Sequence, residues 1–229
     1  MKLAIMQPYL FSYIGYFQLI HSVDHFVIYD DVNFIKNGWI NRNRILIGGK
    51  PAWFTLQLQG ASSNKLINEV CVGGNANKLL KTLQINYSKA PYFEQVFPLA
   101  ETILLNPEKN IARFIGDSLQ KICTCLGIET IFSYSSEIEK DNELRAQDKV
   151  LDICRRLDAK VYNNPIGGMG LYRKEAFAEK GIQLSFIKSE PIVYPQFGNK
   201  FVPSLSIIDV MMFNHVGRIH EYLELYELV

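Results

Sequence analysis

Long apolar runs are missing from this sequence: no stretch approaches the roughly 18 residues that a membrane span needs, so membrane insertion is not expected. A dominant charge is missing too. Lys and Arg number 24 against 23 Asp and Glu, a formal charge of +1, so no global field draws the chain to nucleic acid or anionic lipid. Histidine and cysteine number four each, and His21, His25, His215 and His220 stand apart from Cys71, Cys123, Cys125 and Cys154. No pair-plus-pair zinc spacing exists, and Cys123 and Cys125, two apart on a predicted helix, point to different sides. The thiols read as buried and reduced. A secretion signal is not expected either. Met1-Lys2 is followed by four apolar residues before Gln7-Pro8, which is short of an export h-region. A cytoplasmic location is the expectation.

What is present suits a packed globule. Apolar residues make up 48% of 229 and charged residues 21%, a balance that argues against disorder. Neither an internal repeat nor a linker is visible, so residues 1–229 are expected to form a single domain. Aromatics are plentiful, with 14 Phe and 12 Tyr; they can build core or line a pocket for a flat or sugar-like ligand.

The opening stretch organises the rest. Leu3-Ala4-Ile5-Met6 is a short apolar run closed by Gln7-Pro8, which reads as a buried first strand. An aromatic turn from Tyr9 leads into a helix through Ile20, and His25 to Tyr29 forms a second strand ending on Asp30-Asp31. This is a βαβ opening. Next, Arg44–Ile47 and Trp53–Leu58 flank Gly48-Gly49-Lys50-Pro51, a hairpin pattern. A short strand is expected near Glu69–Val72. Helices are then expected from Asn75 to Tyr87, from Pro91 to Leu105 with a kink or break at Pro98, and from Glu108 to Leu126. An α/β rhythm closes the chain, with strands at Ile128–Phe132, Ala159–Tyr162 and Ile182–Ile187. Helices fall at Asp141–Leu157, before Ala178 and at the C-terminus. The expected fold is α/β, a mainly parallel sheet of about five strands with helices on both faces.

Four places that follow predicted strands carry candidate chemistry, because ligands of open parallel sheets bind at the carboxyl edge. The first is the turn with Gln7, Tyr9, Tyr13, Gly15 and Tyr16. Its Tyr13-Ile14-Gly15-Tyr16 lies where α/β nucleotidylyltransferases carry His-x-Gly-His. Tyrosines can hydrogen-bond phosphate but bear no positive charge near neutral pH, so the likeness is positional; a core-packed aromatic helix face is the other reading. The second is Asp30-Asp31 with Lys36, Trp39, Asn41, Arg42 and Arg44, a polar pocket or a set of surface ion pairs worth about 0–1 kcal/mol each. The third is Asn163 to Gly170, with Asn164, Gly167 and Gly168. Its glycines can offer N–H groups to an anion or simply make a tight turn. The fourth is Ser204 to Asp209, where Ser204 or Ser206 can cap a helix and Asp209 can face solvent or the pocket. No Gly-x-Ser-x-Gly elbow is present. The expectation is one cleft collecting these groups. Asp30, Lys36 and Arg42 would be its catalytic members, with Arg42 clamping an anion, Asp30 serving as general base or hydroxyl acceptor, and Asp31 as its partner or a metal ligand.

The segments MKLAIMQPYLFSYIGYFQLI, FVIYDDVNFIKNGWINRNRI, VYNNPIGGMGLY and FVPSLSIIDVMMFN, in that order, resemble the WbqC-like family from Lys2 to Phe213. Ser12 stands where that pattern has proline. Members occur in bacterial gene clusters for O-antigen and other surface polysaccharides, often beside genes for amino-sugars. The resemblance implies a cytoplasmic enzyme transferring an acyl, aminoacyl or nucleotidyl group to or from an amino-sugar. Its partners would be an activated sugar, a nucleotide or acyl or aminoacyl donor and, as an open option, a carrier protein; a divalent metal also stays open. A non-catalytic nucleotide-sugar-binding or scaffold protein is the alternative. The nucleotidylyltransferase-like (HUP-type) opening unit is an analogy at fold level.

Overall fold

The computed structural model describes residues 1–198 and 200–229. In chain order these form β1 (Lys2–Met6), α1 (Ile14–His21), β2 (His25–Ile28), β3 (Arg42–Ile47), β4 (Lys50–Thr55), β5 (Leu58–Gln59), β6 (Cys71–Val72) and the helices α2 (Ala76–Tyr87), α3 (Phe93–Leu104) and α4 (Ile111–Cys125). Then come β7 (Ile131–Tyr134), α5 (Ala146–Arg156), β8 (Val161–Pro165), α6 (Lys174–Ala178), β9 (Gln183–Ser189), α7 (Ile207–Phe213), α8 (Val216–Leu223) and β10 (Tyr226–Leu228).

Among the described residues the central sheet has the order β10-β9-β8-β1-β2-β7. Five strands run parallel and β10 antiparallel to β9. The order reverses between β1 and β8, a topological switch point. Strand alternation sends side chains to two cores. Leu3, Ile5 and Val27 join Val150 and Ile153 of α5 and Phe177 of α6. Ala4, Phe26 and Ile28 join Phe17 of α1, Phe114 of α4 and Ile219 of α8. Helices therefore cover both faces, and β1 is interior. Each fully buried Leu, Ile or Phe contributes about 1.5–3 kcal/mol.

The segment between β2 and β7 inserts the hairpin β3–β4, the small β5–β6 pair and three helices. Gly48 and Gly49 both hold positive φ, 58° and 75°, the two-residue geometry whose twist suits a tight hairpin. Asn110 caps α4, accepting from the N–H groups of Ala112 and Arg113.

Several boundaries differ from expectation. α5 begins at Ala146, five residues after the expected Asp141, because the Asp141 N–H donates to Asp152 Oδ2 at 3.0 Å and its own Oδ1 accepts from Glu143. β7 starts at Ile131 because Ile128 stays on the end of α4, its N–H bonded to the Cys123 carbonyl. β8 runs on to Pro165, α3 passes through Pro98, and β10 was unforeseen. Cys123 and Cys154 are buried, their thiols pushed up to about 12 by burial, whereas Cys71 and Cys125 are exposed. Among the described residues, no helix is long and apolar enough to cross a membrane.

Candidate functional site

Three segments far apart in sequence are tied together above the carboxyl end of β1. Phe11 holds a left-handed φ of 46°, a conformation that costs a bulky residue about 1–3 kcal/mol. Its carbonyl accepts from Asn43 Nδ2 and from Ser206 Oγ, both at 2.8 Å. The Ser206 N–H donates to the Arg44 carbonyl at 2.9 Å, and the Ile207 N–H to the Ser12 carbonyl at 2.8 Å. Ser204, also left-handed at φ 56°, accepts from Arg44 Nη2 at 3.4 Å. The turn after β1, the hairpin and the segment before α7 thus fix one another.

The junction walls a cleft at the β1–β8 switch point. One lobe, of about 460 Å³, is lined by Met6, Tyr9, Ser12, Tyr13, Gly15, Tyr16, Trp39, Asn43, Arg44, Pro165 and Ser204. The other, of about 820 Å³, shares Tyr13, Gly15, Pro165 and Ser204 and continues past Gly167 to Lys188, Ser189 and Glu190 at the end of β9. α1 begins here with no side-chain cap, and Tyr13, Ile14 and Gly15 at its start, the positive end of the helix dipole, line the larger lobe. Ser12 and Arg44 belong to the lining of the smaller lobe, and their Oγ and Nε atoms, buried beneath its surface, have no hydrogen-bond partner among the described residues. Ser12 is only 2% exposed. A buried hydroxyl without a hydrogen bond costs roughly 1–3 kcal/mol.

Aromatic faces rim the opening. Trp39 and Tyr13 are exposed on the lining of the smaller lobe, and exposed Trp53 lies against Trp39, with ring centroids 5.3 Å apart. Tyr16 is buried and donates to the Gln7 carbonyl at 2.7 Å. Burial, then the neighbouring Tyr9 and Cys123, pushes its hydroxyl pKa well up, so it serves as a neutral donor.

The sequence-expected residues are distributed over several places rather than one cleft. Tyr9, Tyr13, Gly15, Tyr16, Trp39 and Gly167 line the switch-point cleft. Lys36, Asn41 and Arg42 line a shallow hollow of about 220 Å³; there Arg42 donates to the carbonyls of Gly38 and Asn37 and lies 4.2 Å over Trp53. Asp31 lines a third cavity, with Lys149. Asp30 is buried, with Oδ1 accepting from the Ser136 N–H at 2.9 Å and Oδ2 from Ser136 Oγ at 2.6 Å and Asn68 at 3.3 Å, so it holds the loop after β7. Gln7 binds Tyr9 and Tyr16. Asn164 is buried beneath Gly168, where an added Cβ would sit 1.9 Å from its Nδ2. Ser206 caps α7, and Asp209 lies inside, bonded to Tyr87, Tyr194 and Gln196. The dispersal has a topological cause. Asp30 and Asp31 follow β2, one strand beyond the switch point, and the side chains of consecutive residues leave on opposite faces.

Sequence reasoning names Arg44 beside Arg42 and Ser204 beside Ser206 but gives the binding roles to Arg42 and Ser206, whereas Arg44 and Ser204 line the cleft. It gives no role to Asn43, Glu190 or the hydroxyl of Ser12. For Glu190 a signal existed: it directly follows β9, and strand ends mark the ligand edge.

The chain matches the WbqC-like protein family over residues 7–221. It is 30% identical over 228 residues to the Uncharacterized protein Rv1507c of Mycobacterium tuberculosis (strain ATCC 25618 / H37Rv), an alignment covering 97% of each chain. No solved structure matches.

Proposed function

The chain belongs to the WbqC-like family, and from that premise we propose that it is a group-transfer enzyme of surface-polysaccharide or nucleotide-sugar biosynthesis. It moves an acyl, aminoacyl or nucleotidyl group to or from an amino-sugar, with the switch-point cleft as its substrate site. The observation that carries this reading is the donor set at the mouth of α1. At the start of α1, which has no side-chain cap, Ser12, Tyr13, Gly15 and Arg44 line one cavity. Such a set suits the phosphates of an activated sugar. Trp39, Trp53 and Tyr13 offer faces for the sugar or base. The opening βαβ unit is read as nucleotidylyltransferase-like, with Tyr13 and Tyr16 in the place of imidazoles.

In an acyl or aminoacyl transfer, the sugar amine forms a bond to the donor's carbonyl carbon. The donor's bond to its leaving group breaks, and the leaving group departs with the electron pair. Glu190, the carboxylate on the cleft lining, takes the proton that the amine releases. The engagement of Asp30 inside the fold favours a second reading, a nucleotide-sugar-binding protein without turnover.

Incubation with nucleotide-activated amino-sugars, acyl or aminoacyl donors and ATP, read by mass spectrometry, separates the two. New product should fall by about tenfold or more in Arg44→Ala, the scale of a lost charge-assisted hydrogen bond. Glu190→Gln should lower turnover while sugar-nucleotide binding persists, and Arg42→Ala should change little. Tight binding without product in any donor combination favours the binding protein. Absence of both binding and product removes the cleft reading.

A further inference from the structure

A separate cavity of about 460 Å³ opens at the carboxyl ends of β2 and β7, lined among others by Tyr29, Asp31, Asn142, Arg145 and Lys149. It is adjacent to the switch-point cleft along the sheet edge, since the Tyr29 N–H donates to the Met6 carbonyl at 2.8 Å. It lies on the other face, where Tyr29 packs with the α5 core and Met6 with the α1 core.

Two buried lysines share one carboxylate here. Asp31 Oδ2 receives Lys140 Nζ at 2.8 Å and Lys149 Nζ at 3.1 Å, and the two lysine side chains are only 2% and 7% exposed. Oδ1 accepts from Ser135 Oγ at 2.6 Å. Lys140 is fully engaged, donating also to the Ser135 and Ile138 carbonyls. Its charge neutralises Asp31. Lys149 donates to the Asp31 carboxylate and carbonyl, both at 3.1 Å, which leaves one ammonium N–H and a full positive charge on the cavity wall. Nearby Asp30 is bound to Ser136, itself on the lining, and to Asn68; Glu137 pairs with Arg113 at 2.6 Å, and Asp148, in the first turn of α5, lines a different hollow. Two buried ammonium groups sharing one carboxylate leave excess positive charge, which is costly to bury. Arg145 adds a second cation to the lining, and α5, 11 residues long, starts there without a side-chain cap.

We propose that this cavity is a second binding site, for an oxyanion group, phosphate or carboxylate, of a small metabolite. Lys149 supplies the buried charge, Arg145, whose Nη1 is held by the Asn142 and Leu144 carbonyls, supplies its Nε and Nη2 donors, and the first N–H groups of α5 close the cradle. Lys140 is the counter-ion that keeps Asp31 from competing with the ligand. The site stands independently of the switch-point cleft.

The test is calorimetric titration of the whole protein at low ionic strength with two probes, inorganic phosphate and acetate. Phosphate or acetate binds the wild type, and the tighter of the two identifies the group. Lys149→Met and Arg145→Ala should each weaken that probe by about tenfold or more, the scale of one charge-assisted hydrogen bond. Lys149→Met leaves the Asp31–Lys140 pair neutral, and Arg145 is exposed, so both variants should keep the wild-type circular dichroism. Arg44→Ala, in the other cleft, should leave this binding unchanged. No heat from either probe, or wild-type affinity in both Lys149→Met and Arg145→Ala, overturns the proposal. Loss in Arg44→Ala alone assigns the anion to the switch-point cleft instead.

Discussion

Asp209 accepts hydrogen bonds from Tyr87 and Tyr194 at 2.7 Å each and from Gln196 at 2.8 Å, in a position without solvent exposure. Burial raises its pKa above the ordinary 3.8, and the three donors offset only part of that rise. The linkage follows from this direction. With a raised folded pKa, the group's contribution to stability is complete below its ordinary value. It is lost as pH rises through the folded value, where the carboxylate must ionise in a dry site. Asp209→Asn never ionises, so its stability should gain on the wild type between pH 4 and neutrality, whatever constant offset the amide introduces. Urea midpoints measured across that range should show the drift, and a constant difference would refute it. Asp31 runs the other way. Burial pushes its pKa up, but hydrogen bonds from Lys140, Ser135 and Lys149 together hold it below the ordinary value, so its contribution is present near neutrality and fades only as the solution becomes strongly acidic. Nothing in the sequence separates these two aspartates, because each shift is made by partners remote in the chain.

Two glycines inside helices show how elements constrain one another. Gly116 faces the sheet from α4, where an added Cβ would lie 2.1 Å from Tyr134 Oη and 2.8 Å from Ile28 Cδ1. Gly15 opens α1, where it would lie 2.3 Å from Tyr13 Oη and 2.6 Å from Ser189 Oγ. Alanine is preferred to glycine in a helix by about 1 kcal/mol, so propensity alone favours both substitutions. At Gly116 the ring of Tyr134 is pinned beneath Arg113, 3.8 Å away, and overpacking should outweigh propensity by about 1–3 kcal/mol. At Gly15 the obstacle is an exposed tyrosine tip that can swing away. Gly15→Ala should therefore keep the wild-type melting temperature yet weaken sugar-nucleotide binding, because Tyr13 leaves its place on the rim. Equal melting-temperature losses in the two variants would contradict this distinction. The helices themselves were legible from their periodicity. Which glycine meets a rigid neighbour was not.

At the scale of the molecule, β10 covers one edge of the sheet. Phe186 and Val229 exchange N–H bonds at 2.9 and 3.0 Å, and Tyr226 to Leu228 pair with Ile187 to Ser189. Deleting residues 226–229 should bare the edge of β9, lower the melting temperature and promote self-association visible by light scattering. A truncated chain that stays monomeric with an unchanged melting temperature would dismiss that role. The five parallel strands, the βαβ opening and the amphipathic helices were readable in the sequence, because short apolar runs and 3.6-residue spacings are local properties. The family likeness was readable too, carried by four motifs in order. β10 was not readable, since three residues form a strand only where a neighbouring edge offers hydrogen bonds. The cleft was half readable: chain order put polar groups after strands, but the nearby carbonyls of Asn37 and Gly38 and the ring of Trp53 across the hairpin turned Arg42 aside and left Arg44 on the lining. Asp31 and Lys149 meet across 118 residues. Periodicity sees neighbours along the chain, whereas an unpaired charge or an orphaned hydroxyl is defined by groups that only the folded backbone brings within 3 or 4 Å.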